Sequence, residues 1–131
     1  MTQLRISEAA ALLGVSDDTV RRMTDSGRLP ATKDDAGRLV VAGVDVAAVA
    51  QDLAHPAAPG AVADESARNR MRGIVTRGVK DTVMAQVELQ CGPFRIVSLM
   101  SSEAADSLGL EPGAIAVASI KATNVIVGVP Q

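Results

Sequence analysis

Two sets of side chains in this 131-residue sequence have the types and spacing to do chemistry. The first, grouped as one set only by the family resemblance given below, comprises Ser66, Arg68, the pair Ser101-Ser102, Lys121 and Thr123, all in the second half of the chain. A tetrahedral dianion needs donors from several directions and partial neutralisation of its charge, with no acid competing for the space. Hydroxyls orient such an anion, an Arg fork holds two of its oxygens, and a Lys adds a point charge with three donors. Ser101-Ser102-Glu103 also opens a helical pattern, whose free N–H groups and positive dipole end favour an anion. The second set, likewise grouped by a resemblance given below, is Thr19, Arg21, Arg22, Arg28, Lys33 and Arg38 in the first half. An Arg can read guanine in two bonds or hold a phosphate, so this set suits a nucleic-acid backbone and its base edges. Singly, each residue also has a plainer reading. Ser66 and Ser101 can be caps, Arg68 the partner of Asp64 or Glu65, Lys121 a solvated strand end, and Arg21 and Arg22 a solvated helix face used for protein contacts.

Catalysis has no comparable set. Cys91 stands beside a Gly92-Pro93 turn with no His near it in sequence, and His55, the one His, lies among Pro and small residues. Without a nucleophile-base pair or a carboxylate dyad, the chain reads as a binding protein and not an enzyme. One Cys and one His make neither an internal disulfide nor a usual structural zinc site, so neither a free metal cation nor an organic cofactor is expected.

Composition narrows the partners. With one Phe and no Trp or Tyr there is no platform for stacking successive bases, which argues against RNA and single-stranded ligands. The opening residues lack the apolar core of a signal peptide, and no run approaches the ~18 apolar residues of a membrane span. A cytoplasmic protein without a membrane partner is expected. Charge is nearly balanced, at 13 Lys+Arg against 15 Asp+Glu, and both halves share the balance.

The elements that must position these residues fall into two groups. Residues 55–65, rich in Pro, Gly and Ala, read as a linker between a domain over 1–54 and another over 66–131. In the first, Ser7 can cap a helix that Gly14 ends, and Ser16 can cap a second, with Val15 stapling against Val20, that Gly27 stops. Extended stretches either side of Asp34-Asp35-Ala36-Gly37 make a hairpin, and Val46, Val49 and Leu53 mark a closing helix. Beyond Met71 the period changes to two, with Val83, Ala85, Val87 and Leu89 on one face. Strands through Ile74-Val75, Phe94–Met100, Ala114–Ile120 and Asn124–Val129 bring the number to about five. A short helix capped at Ser101 or Ser102 interrupts them and ends at Gly109. The predicted fold is therefore a mainly α winged helix-turn-helix followed by an all-β, OB-like five-stranded barrel with one short helix.

Both groups resemble known families. Ser7-Glu8-Ala9-Ala10-Ala11-Leu12-Leu13-Gly14-Val15-Ser16, Thr19-Val20-Arg21-Arg22, Ser26-Gly27-Arg28-Leu29-Pro30 and Gly37-Arg38 are similar to the excisionase and MerR-type winged helix-turn-helix. That resemblance implies double-stranded DNA as a partner, with Thr19, Arg21 and Arg22 facing the major groove and Arg28, Lys33 and Arg38 meeting phosphates. Ser66-Ala67-Arg68-Asn69, Gly73-Ile74-Val75, Ser107-Leu108-Gly109-Leu110, Pro112-Gly113 and Ile120-Lys121-Ala122-Thr123 resemble the Mop or TOBE domain, which binds molybdate and tungstate. This second resemblance implies an oxyanion held between barrels of neighbouring chains, in a dimer or hexamer, by Ser66 and Arg68 of one and the Ser101 turn and Lys121 of another. Met23 replaces the usual aromatic of the first family, and Ala104 replaces a hydroxyl residue frequent in the second. Together the resemblances imply a molybdate- or tungstate-responsive, DNA-binding transcriptional regulator. The acidic wing tip, Asp34-Asp35, keeps open the alternative of an intracellular oxyanion store whose head does not read DNA.

Overall fold

The computed structural model describes residues 2–55, 58–60 and 65–131. Its chain divides into two units, 1–55 and 56–131, each with its own core. Part of the expected linker, at 56–57 and 61–64, lies outside the described residues.

In the first unit β1 (Gln3–Arg5) leads into α1 (Ile6–Leu13), and α2 (Asp17–Asp25) follows after a tight turn. Gly14 makes that turn at φ 70, in the left-handed region where a side chain is strained. The expected cap at Ser7 is not the one that forms. Helix α1 begins two residues earlier, at Ile6, and the Glu8 carboxylate accepts the Arg5 N–H at 3.1 Å, which satisfies the orphan donor from inside the helix. Ser16 does cap α2, its Oγ accepting from the Thr19 N–H at 3.1 Å. The hairpin of β2 (Ala31–Lys33) and β3 (Leu39–Ala42) precedes α3 (Gly43–Leu53). Strand β1 pairs with the far edge of β3, Leu4 opposite Val41, so the wing is a three-stranded sheet in the order β1-β3-β2. Three residues carry too short a pattern to mark β1 in sequence. Val20, Leu29, Val41, Val46 and Val49 form the centre of the core, where Val15 packs against them from its edge.

The second unit is a four-stranded antiparallel sheet, in the order β6-β5-β4-β7, curved into a half-barrel with one short helix. Strands β4 (Asn69–Lys80), β5 (Met84–Cys91) and β6 (Phe94–Ser101) run in a meander, then α4 (Ser102–Ser107) crosses to β7 (Ile115–Ile120). The alternation expected along β5 places Ala85, Val87, Leu89 and Cys91 on the buried face. Val83 is left outside it, in the turn before the strand, 68% exposed. A register shift between Val75 and Arg77 bends β4.

The fifth strand expected at Asn124–Val129 is not in this sheet. After Ile120 the chain makes a single 3₁₀ turn, Ala122–Asn124, and leaves it extended at Val125; the residues beyond are unassigned to any strand and exposed, with Ile126 at 95%. Their β-branched pattern is that of a strand, but a strand exists only where another edge pairs with it.

On the other face of β5, Glu88 is buried and held by Arg95, whose Nη2 and Nε donate to its two carboxylate oxygens at 2.5 and 3.3 Å. Those bonds hold the Glu88 carboxyl below its ordinary range; burial opposes the shift, and the nearby Arg77 charge assists it.

Two consequences are testable. A Cβ on Gly73 would sit 2.5 Å from both the Cys91 Sγ and the Gln90 carbonyl oxygen. Gly73→Ala is therefore expected to destabilise the second unit by about 1–3 kcal/mol or more, seen as a lower urea midpoint. Second, a depressed folded pKa contributes stability above the unfolded value of roughly 4.3, and that contribution is lost as pH falls through the folded value. Arg95→Ala should lower the urea midpoint at pH 7 and shrink the further drop seen on acidifying to pH 3; an unchanged pH dependence would contradict the pairing.

Candidate functional site

In the first unit, Ser16 fixes the start of α2 and Gly27, at φ 80, turns the chain out of it, which sets where Arg28 leaves the helix. Thr19, Arg22, Met23, Ser26 and Arg28 then line one shallow concavity of about 360 Å³. Thr19 and Arg22 are three residues apart and share a helix face. Arg21 lies beside them and reaches Asp18 at 3.7 Å, both side chains largely exposed. Met23 does not take part in this surface as an exposed group. It turns inward, 8% exposed, and fills the core where the resemblance places an aromatic.

Lys33 and Arg38 stand on the two arms of the hairpin, where the Asp34 N–H donates to the Arg38 carbonyl at 2.9 Å. The wing tip is less acidic in effect than its sequence. Asp34 accepts the Ala36 and Arg38 N–H groups at 2.9 Å each and pairs with the Arg38 guanidinium at 3.3 Å. It closes its own turn and is neutralised there, so Asp35 is the carboxylate the tip presents. That arrangement was not evident in sequence, where the two aspartates read alike.

In the second unit the candidate anion donors fall at opposite ends of β4. Asn69 opens that strand opposite Ile120, the last residue of β7, and its Nδ2 donates to the Ile120 carbonyl at 3.1 Å. Arg68 and Lys121 are the residues that follow this last pair outward, both just outside the strands, and Ser66 and Thr123 lie within two residues of them in sequence. All four are exposed. Asn69 belonged to the motif in sequence without a role; its bond is what joins the two stretches. Glu65 is engaged by Arg70, Nε to Oε1 at 2.7 Å, and Arg68 and Lys121 form no ion pair among the described residues.

The Ser101 turn lies at the other end. Ser101 pairs with Met84 at the start of β5, next to the last residues of β4, so about 35 Å of strand contour separates it from Arg68. Ser101 accepts the Ala104 N–H on its Oγ at 3.1 Å and keeps its hydroxyl proton for another partner. Ser102 does not keep its donors. Its N–H donates to the Val83 carbonyl at 2.8 Å and its buried Oγ to the Asp81 carbonyl at 2.7 Å, which ties α4 to the β4–β5 turn. Both donors of Ser102 are thus engaged within its own chain. The turn it grips is itself rigid, because Asp81 accepts the Val83 and Met84 N–H groups at 2.7 Å each. Those bonds, that from Met84 foremost, hold the Asp81 carboxyl below its ordinary range.

Among the described residues, no group of three or more His, Cys, Asp and Glu is placed to hold a metal ion. No described helix is long and apolar enough to cross a membrane.

Residues 65–127 match the TOBE domain family and residues 4–53 the helix-turn-helix domain family. Among solved structures, the chain is similar to MopII from Clostridium pasteurianum at 34% identity, over 50% of this chain and all of that one, with a TM-score of 0.47. It is 30% identical to a molybdate-binding protein from Sporomusa ovata, over 50% of this chain and 98% of that one, with a TM-score of 0.48. The cytoplasmic molybdate-binding protein ModG is 46% identical over 51% of this chain and 48% of that one, with a TM-score of 0.49. Nothing among curated proteins matches.

Proposed function

We propose that this chain, a helix-turn-helix domain at residues 4–53 joined to a TOBE domain at residues 65–127, is a cytoplasmic DNA-binding regulator that responds to molybdate or tungstate. The observation that carries the anion half is the adjacency of Arg68 and Lys121 at one end of the β4–β7 pair, with no carboxylate partner for either among the described residues. Ser66 and Thr123 add hydroxyls at the same end. A tetrahedral oxyanion bridging the two cations offsets their repulsion and uses the Arg fork and the Lys donors together. Relatives named as molybdate-binding proteins favour that oxyanion.

In one chain Ser101 stands by the far end of β4 from Arg68 and Lys121. A second copy completes the site by bringing its Ser101 turn to Arg68 and Lys121 of the first, so ligand and assembly are coupled. The working form is a homo-oligomer, a dimer or a hexamer. The heads, over 1–54, are tethered through the 55–65 linker to the barrels at 66–131. Anion binding changes DNA affinity only to the extent that it favours one arrangement of barrels over another.

In the head, Thr19, Arg21 and Arg22 meet the major groove, and Arg28, Lys33 and Arg38 hold the backbone. The Asp34–Arg38 pair removes one of the two repulsive charges at the wing tip. A store without DNA binding is the second reading. The exposed carboxylates Asp17 and Asp18 at the start of α2, and Asp35 at the wing tip, favour it.

Two measurements test these readings. Fluorescence anisotropy with double-stranded DNA selected from a random pool on the intact chain, at fixed salt with and without molybdate, should give a molybdate-dependent affinity. Arg22→Ala should weaken it by about 1–3 kcal/mol, roughly 5- to 150-fold, and Lys33→Ala should lower the salt slope by about one. Absence of DNA binding in every condition returns the lead to storage. Calorimetric titration with molybdate should give a heat that Arg68→Ala and Lys121→Ala each reduce at least tenfold in affinity, while Ser102→Ala acts on stability. Normal binding in both cation variants would remove the site.

A further inference from the structure

Charge in the second unit is segregated along β4. Of its described Asp and Glu side chains, Glu65 alone lies at the Asn69 end, and Arg70 holds it at 2.7 Å. The others lie beyond Ile74, with Glu88 opposite Arg77, Asp81 in the turn after β4, Glu103 and Asp106 on α4, and Glu111 ahead of β7. The cations gather at the Asn69 end. Arg68 and Lys121 follow the Asn69–Ile120 pair outward, and Arg70 and Arg72 share the face of β4 opposite to that of Met71 and Val75, which pack in the core. Arg72 is exposed and has no carboxylate within ion-pair distance among the described residues. Past Ile74 the same face changes character, because Val79, Val97 and Leu99 are exposed there and Arg95 covers Glu88.

A row of cations without competing carboxylates suits an extended polyanion. From Arg68 to Arg72 the chain covers about 14 Å, over which one strand of a duplex presents about four phosphates. The first unit supplies the reason to expect a duplex there. It matches the helix-turn-helix family, yet two of its cations, Arg21 and Arg38, are paired with Asp18 and Asp34. A head with few free cations releases few counterions and holds DNA weakly by itself.

We infer that the Asn69 end of the barrel is a second DNA contact, where Arg68, Arg72 and Lys121 hold phosphates of the duplex that the head reads, and that a bound oxyanion displaces that contact. Arg68 and Lys121 have the chemistry for either ligand, since a guanidinium fork and an ammonium bind a DNA phosphate as they bind a free tetrahedral anion. They do not serve both. A dianion seated on them cancels their charge and repels a phosphate from well inside the ~8 Å screening length. An occupied barrel therefore releases DNA, and an empty one retains it. This inference rests on the anion site and the DNA-binding head proposed above, and adds to them a second contact and the sign of the response.

The test is the salt dependence of duplex binding by the intact chain, with and without molybdate, at ionic strength matched with chloride. Each phosphate contact contributes about 0.9 to the slope of log affinity against log salt. Arg72→Gln should lower the slope by about that amount and leave the calorimetric affinity for molybdate unchanged. Arg68→Ala should lower the molybdate-free slope by as much again. Saturating molybdate should lower it by about two and weaken binding roughly tenfold or more at low salt. Arg77→Gln, beyond the basic face, should leave the slope unchanged. A wild-type slope in Arg72→Gln, an equal loss in Arg77→Gln, or an affinity that rises with molybdate overturns the inference. So does an unchanged slope accompanied by a lower light-scattering mass in Arg72→Gln, which assigns the face to a second copy. Absence of a molybdate heat in the intact chain sinks the anion reading, and absence of DNA binding sinks the regulator reading. Both ligands bound, with a slope indifferent to Arg72 and to molybdate, sinks this inference alone.

Discussion

The second unit depends on the pairing of β4 with a neighbour on each side. Its first half is bonded to β7 and its second half to β5, so this one strand fixes where every other element of the half-barrel lies. Such double pairing demands close backbone approach, and Gly73 permits it by leaving out the Cβ that would collide with the Gln90 carbonyl. The bulge after Val75 lets the strand bend and serve two directions. Because β4 is long, its two ends carry different chemistry. The Arg68–Lys121 pairing is created at one end by Asn69, and the Ser101 turn is pinned at the other by Ser102 and Asp81.

This separation has a functional meaning. A barrel that held both clusters at one end would be a complete monomeric receptor, and its occupancy would say nothing to any other chain. Clusters at opposite ends leave neither end of one barrel with both sets of donors. The turn that aims residues 125–129 outward is also the turn that carries Thr123, with Lys121 as its first residue.

The head shows how packing and charge can be rearranged without changing the outline. Met23 substitutes for an aromatic by filling the core around Val20 and Leu29, and a flexible thioether does so with little demand on shape. Asp34 spends its charge on two backbone donors and one guanidinium. The near-neutral composition of the whole chain therefore hides local asymmetry, since Arg22 and Arg28 face one concavity while several carboxylates are tied up elsewhere.

Much of this was legible in the residues. Periodicity, caps and turn glycines marked α2, α3, α4 and the strands through Val87 and Ile96, because these signals are local and each is satisfied within a few residues. The paired cations were legible as types, since a motif lists what can bind. Sequence could not give β1, whose three residues form a strand only because β3 offers an edge. It could not separate Asp34 from Asp35, or Ser101 from Ser102, since which neighbour holds a proton or a carbonyl depends on how the turn closes. The segment after Asn124 is the clearest case: its residues determined that it is a strand in character, and the tertiary structure decided that its own chain does not pair with it. Composition fixes what a segment can bury, but hydrogen-bond partners are a property of what the fold brings near.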